Sequence, residues 1–170
     1  YPHGGTFEIP ILTVNNKQPT AKRMLDNALD AIGINSKVAE RLSGADFDGD
    51  TVMVIPTGGK VKVTSTPPLK GLEGFDPKLE YGGKKEGTFK PMKNTQTEMG
   101  KISNLITDMT LKGATQDELA RAVRHSMVVI DAEKHKLDYK QSERDNGISA
   151  LKKKYQGTVD ENGRYHEGAA

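Results

Sequence analysis

The chain has no cysteine and no tryptophan. Without cysteine there can be no disulfide, no zinc–thiolate site and no thiol nucleophile. Aromatic residues are scarce, five Tyr and four Phe in 170 residues, and only 34% of the chain is hydrophobic. That is thin for an independent enzyme, though the length suffices for one core in one or two domains. No apolar run is long enough to span a bilayer, and no secretory h-region is present. Neither sign of charge dominates: 25 Lys and Arg against 23 Asp and Glu leave a formal net charge of +2. Bulk charge therefore does not mark a nucleic-acid binder. These absences lead to the expectation of an intracellular, cytoplasmic protein with no membrane partner. The chain begins at Tyr1 rather than Met and ends in Gly168-Ala169-Ala170, which reads as a piece of something larger.

Eighteen Gly and eight Pro punctuate two halves of different character. In the first, Phe7, Ile9 and Ile11 alternate with other residues as in an edge strand beside Pro10. Pro19-Thr20 opens a helix with Met24, Leu25, Ala28, Leu29 and Ile32 on one face and Gly33 as its cap. Val52–Ile55 and Lys60–Thr64 read as strands, and residues 64–93, rich in Gly, Pro and Lys, as a long loop or arm. In the second half Met99, Ile102, Leu105, Ile106 and Met109 predict a helix ended by Gly113. Thr115 and Glu118 form a capping box for another, with Leu119, Ala122, Val123, Met127 and Ile130 as its apolar stripe. A third helix runs from about Gly147 to Tyr155, and Asn162-Gly163 marks a tight turn. The expected class is α+β.

The chemistry concentrates in Asp46-Phe47-Asp48-Gly49-Asp50, three carboxylates at alternate positions within five residues. Carboxylates this close repel one another, and a hard divalent cation with oxygen ligands is their natural partner. In an extended segment positions i, i+2 and i+4 share a side, and Gly49 permits a turn that gathers them. An EF-hand loop also begins D-x-D-x-D, but it needs Gly at its sixth position and Glu at its twelfth, where this chain has Thr51 and Thr57. An aspartyl-phosphate phosphohydrolase carries D-x-D-x-T after a buried strand; here Asp50 takes the Thr position and Glu40–Ala45 is not a buried strand. That enzyme class remains an alternative, as does a non-catalytic divalent-metal or phosphate-binding module. A solvated acidic turn without a ligand is the bland reading, and interacting carboxylates cluster more often at functional sites.

The segment Leu42–Pro56 resembles the catalytic loop of the two-barrel RNA polymerase superfamily. Gly44 is similar to the silencing-type RNA-dependent enzymes and the single-chain phage and prophage enzymes. The order of Tyr1–Val14, helix and acidic loop resembles that branch, as do Met99–Asn104 and His125–Lys134. The resemblance implies part of a double-psi β-barrel with its arm over residues 1–93, a helical region over 94–157, and a turn or tail over 158–170. It implies Asp46, Asp48 and Asp50 as catalytic ligands of Mg²⁺, for which Mn²⁺ can substitute, with Gly49 making the turn. The ion would lower the pKa of an RNA 3′-hydroxyl for attack on a nucleoside triphosphate, with pyrophosphate released. The implied partners are a nucleic-acid template, the RNA product, nucleoside triphosphates and a second β-barrel that this chain lacks, so the isolated chain is expected to be inactive. A phage origin would place it in a host cell.

Other residues attract weaker readings. Lys134, Lys136, Lys140, Arg144, Lys152, Lys153 and Lys154 make a basic stretch suited to a nucleic-acid backbone or to a solvated helix face. Lys60, Lys62 and Lys22-Arg23 read as ordinary solvated cations, and His125 and His135 as packing or surface residues.

Overall fold

Asn94, Thr115 and Asp138 each hold back a helix start by accepting a backbone N–H three residues on, from Thr97, Glu118 and Gln141. Such caps satisfy donors that a helix leaves unpaired. In a computed structural model that describes residues 9–39, 41–42 and 51–166, the elements are α1 (Pro19–Leu25), α2 (Ser36–Ala39), α3 (Pro77–Tyr81), α4 (Thr95–Leu111), α5 (Gln116–His135), α6 (Tyr139–Asp145) and α7 (Ile148–Gln156), then β1 (Thr158–Val159) and β2 (Tyr165–His166). Among these residues no helix is long and apolar enough to cross a membrane.

Among the described residues, the two buried apolar clusters lie between Leu69 and Tyr155. α4 and α5 pack along their lengths, and Leu105, Ile106, Met109, Ala122 and Val123 have no exposed surface. α7 closes this cluster with Ile148, Leu151 and Tyr155. A second cluster joins Val128, Val129 and Ala132 of α5 to Tyr81, Met92, Leu137 and Tyr139, and Met99 packs against both. Burying each large aliphatic side chain contributes about 1.5–3 kcal/mol. Gly113 and Gly147 take backbone conformations that a side chain would strain: Gly113 ends α4's turn at φ 71° and Gly147 caps α7 at φ 63°. A Cβ on Gly147 would also lie 3.0 Å from an Arg121 guanidinium nitrogen.

The α+β expectation, with part of a double-psi β-barrel, is overturned: the described residues are helical, and their one strand pairing is the two-residue hairpin β1–β2. Val52–Ile55 and Lys60–Thr64 are irregular, and Met53, Val54, Ile55 and Val61 stay exposed. Alternation alone does not make a strand. Its N–H and C=O groups need a paired neighbour and its apolar face needs a surface to cover. Ile9 meets Thr66 through two hydrogen bonds, from its N–H to the Thr66 hydroxyl and to its carbonyl from the Thr66 N–H, and no ladder follows. Phe7 lies outside the described residues. The helix expected through Ile32 stops at Leu25, with Met24 and Leu29 exposed. A short helix without a buried face lacks the packing that sustains most protein helices.

The Gly/Pro/Lys-rich arm is structured in part. Leu69, Leu72, Tyr81 and Met92 enter the core, and α3 starts at Pro77 behind Asp76, whose carboxylate accepts from the Lys78 and Leu79 N–H groups. Arg124 donates to the Gly71 carbonyl and lies 5.1 Å over the Phe75 ring.

This uneven packing predicts an uneven response to truncation. Leu105→Ala should lower unfolding stability by about 2–5 kcal/mol. Met53→Ala should change it by no more than about 0.5 kcal/mol. Urea unfolding followed by circular dichroism measures both.

Candidate functional site

Asp46, Asp48 and Asp50, with Gly49 between them, lie outside the described residues. Among the described residues no three His, Asp or Glu side chains gather as a metal site. The flanks of the acidic run are described. Upstream, Leu42 is buried and lines a small crevice with Pro10, Arg41, Thr66 and Pro68. Downstream, Val52 is half-buried and residues 53–55 are exposed. Lys22, Arg23, Lys60 and Lys62 are all exposed.

Of the two segments singled out downstream, Met99–Asn104 lies on α4 and His125–Lys134 on α5. His125 turns inward. Its Nδ1 lies 2.9 Å from the hydroxyl of Ser142 on α6, which also accepts from the Asn146 side-chain amide at 3.3 Å. Asn146 donates a further bond to the Ser142 carbonyl, so the three residues link α5 to the end of α6. Burial pushes the imidazole pKa down to about 4, against the nearby Glu143 carboxylate that favours its charge, while Lys152 and Lys140 add to the depression. The histidine is neutral at pH 7. Ser142 has no exposed surface, so this Ser–His pair holds helices together and is closed to substrate. His135 is half-buried in α5's last turn.

The basic stretch does not form one surface. Lys154 is held by Glu118, which also accepts from the Tyr155 hydroxyl at 2.5 Å; these bonds draw the Glu118 pKa down to about 2. Lys140 pairs with Glu143 at 2.6 Å, and Arg144 donates to the Gln141 side chain at 2.7 Å. Lys136 is the left-handed cap of α5, with its ammonium 3.8 Å from Glu86. Lys134 and Lys153 are exposed and Lys152 is half-buried. At 1.5 Å per residue, the sixteen-residue rise from Glu118 to Lys134 separates the two ends of α5 by about 24 Å. Lys154 therefore sits at one end of the bundle and Lys134 at the other.

No family model, curated protein or solved structure matches the chain. The site must be argued from its residues.

Sequence reasoning missed the polar partners Ser142 and Asn146 and the ion pair from Lys84 to Asp138, 2.9 Å long and 54 residues apart in sequence. The one local signal was Asp138 itself, three residues ahead of Gln141 as an N-cap.

His125 and Glu118, the most strongly shifted groups, titrate in separate windows. An unfolded histidine takes up a proton near pH 6.5, whereas folded His125 resists until about pH 4. The unfolded state therefore binds more protons between those values, and stability falls with pH by about 3 kcal/mol across that range. Glu118 has the depressed carboxylate pKa, so its contribution is present above pH 4.5 and is lost as pH falls towards about 2. Urea unfolding from pH 7 to 3 should show the first loss in the native chain and not in His125→Gln.

Proposed function

We propose that the chain carries the metal-binding acidic loop of a template-directed RNA polymerase and takes part in Mg²⁺-dependent nucleotidyl transfer. The observation that carries this reading is the run Asp46-Phe47-Asp48-Gly49-Asp50 in the setting Leu42–Pro56. The resemblance of Met99–Asn104 and His125–Lys134, two stretches on adjoining helices, supports it. The barrel expectation forms no part of the proposal.

The donor set suits the ion. Three carboxylates offer hard oxygens alone, with no imidazole or thiolate among them, which favours Mg²⁺ or Mn²⁺ over softer metals. When bound, the cation supplies charge stabilisation and acidifies a coordinated 3′-hydroxyl. The chain's own contribution is positional. Asp46, Asp48 and Asp50 concentrate negative charge, and Gly49 lets the backbone turn between the second and third. The exposure of Lys22, Arg23, Lys60 and Lys62 favours a second reading, a metal- or phosphate-binding module without catalysis.

Primer extension with the complete polypeptide in which this sequence occurs separates the readings. Asp48→Asn should reduce nucleotide incorporation by at least about a hundredfold, the scale of losing several kcal/mol of charge stabilisation. Incorporation that survives the change undiminished removes the polymerase assignment. Mn²⁺ binding by the 170-residue chain, read by electron paramagnetic resonance, should weaken in the same variant; binding without any incorporation in the complete polypeptide leaves the module.

A further inference from the structure

The end of the bundle where α5 stops collects lysines from two distant parts of the sequence. Lys134 and Lys136 are exposed on the last turn and cap of α5. Three contacts fasten the segment 84–95 beside them. Lys84 pairs with Asp138 at 2.9 Å, Glu86 lies 3.8 Å from the Lys136 ammonium, and the Thr95 hydroxyl donates to Glu133 at 2.7 Å. Met92 is buried in the same cluster as Ala132 and Leu137, so the segment is seated as well as tethered. Lys85 lies between two of the fastened residues, and Lys93 is two positions from Thr95; both are exposed, as is Lys90.

The charge at this end is lopsided. Residues 84–93 and 133–138 bring Lys84, Lys85, Lys90, Lys93, Lys134 and Lys136 against Glu86, Glu133 and Asp138. Two of those carboxylates have fixed duties, Asp138 in pairing Lys84 and capping α6, Glu133 in accepting from Thr95. None of the exposed large hydrophobic side chains of the described residues lies in either segment. A peptide-binding groove or a membrane-docking face relies on apolar anchors. A surface of exposed cations without them suits a polyanion held by Coulomb attraction and counterion release.

We infer that the surface formed by Lys85, Lys90, Lys93, Lys134 and Lys136 docks the phosphodiester backbone of a nucleic-acid strand. It replaces the contiguous basic stretch as the contact: Lys154 sits at the far end of the bundle and Lys152 acts on His125 and Glu143 nearer its middle, and the arm supplies their substitutes. The inference shares a partner class with the polymerase reading and does not depend on catalysis.

Fluorescence anisotropy with a labelled oligouridylate of about 20 nucleotides, titrated at increasing salt, tests it. The variant Lys85→Gln/Lys93→Gln/Lys134→Gln leaves the fastening residues Lys84 and Lys136 in place. It should bind at least about tenfold more weakly at low salt, and its slope of log K against log salt should flatten by about 2, near 0.7 for each phosphate contact removed. Lys152→Gln/Lys153→Gln should bind like the native chain. A native chain that does not bind the probe at low salt overturns the inference, as does equal binding by the triple variant. An equal loss in the α7 variant overturns it too, since attraction would then be diffuse. Melting curves that coincide with the native chain's show that the variants fold. Loss of incorporation in Asp48→Asn bears only on the polymerase reading, and loss of binding in the triple variant only on this one.

Discussion

The seam between α4 and α5 is the constraint on which the described structure depends. Leu105, Ile106 and Met109 from one side and Ala122 and Val123 from the other are wholly withdrawn from water. The small Ala122 lets the helices approach, and the larger side chains of α4 fill the space this leaves. Because α5 is twenty residues long, its face continues past that contact into Val128, Val129 and Ala132. There it meets Tyr81 and Met92 from the arm and Tyr139 from α6. Every other helix after residue 69 is thus placed by reference to one pair. The polar bonds follow from the same arrangement: His125 can reach Ser142 only because α6 folds back along α5, and Glu118 can bind Lys154 and Tyr155 only because α7 lies beside α5's first turn.

The described residues between 9 and 66 depend on nothing comparable. Neither α1 nor α2 buries a side chain, and Ile11, Val14, Met24, Leu29, Met53 and Val54 remain at least half exposed. The candidate metal ligands fall within this half of the sequence. Metal chemistry of the proposed kind needs ligands held to within about half an ångström, which packing and surrounding hydrogen bonds normally ensure. Leu42 is the one flank residue whose burial contributes such support among the described residues near the run.

Elements stabilised by short-range features were legible. The capping box at Thr115 and Glu118, the spacing of Ile102, Leu105, Ile106 and Met109, and the Gly113 and Asn162-Gly163 turns are all encoded within a few residues. The errors lie where the outcome depends on distant partners. Alternation at Val52–Ile55 and Lys60–Thr64 specifies a strand only if another strand stands beside it. The arm gave no periodic signal because Leu69, Leu72, Tyr81 and Met92 reach the core individually between turns. Ile130 was assigned to the core stripe and is exposed, while Ser126, Val128 and Ala132 are buried: α6 and α3 cover a second side of α5 that the stripe did not include. For the candidate site, the acidic run lies outside the described residues, and its reading rests on spacing alone. The basic residues could not be read as a surface, because their grouping is decided by how the helices fold back.

That last point bears on what a near-neutral chain can bind. A formal charge of +2 over 170 residues gives no general attraction for nucleic acid. The charges are not mixed evenly, however. The first turn of α5 carries Asp117 and Glu118, and its last turn and cap carry Lys134, His135 and Lys136, as its dipole favours, while Arg121 and Arg124 follow the first pair and Asp131 and Glu133 precede the second. The arm then folds against the basic end and adds Lys84, Lys85, Lys90 and Lys93, while Lys154 is neutralised by Glu118 at the acidic one. With a Debye length of about 8 Å at physiological ionic strength, a phosphate at the basic end is screened from Glu118 some 24 Å away and is opposed by the nearby Glu86, Glu133 and Asp138. What such a phosphate senses is the local excess of lysine. The fold, by bringing the arm to α5's C-terminus, creates a cationic surface that neither the net charge nor the linear order of basic residues announces.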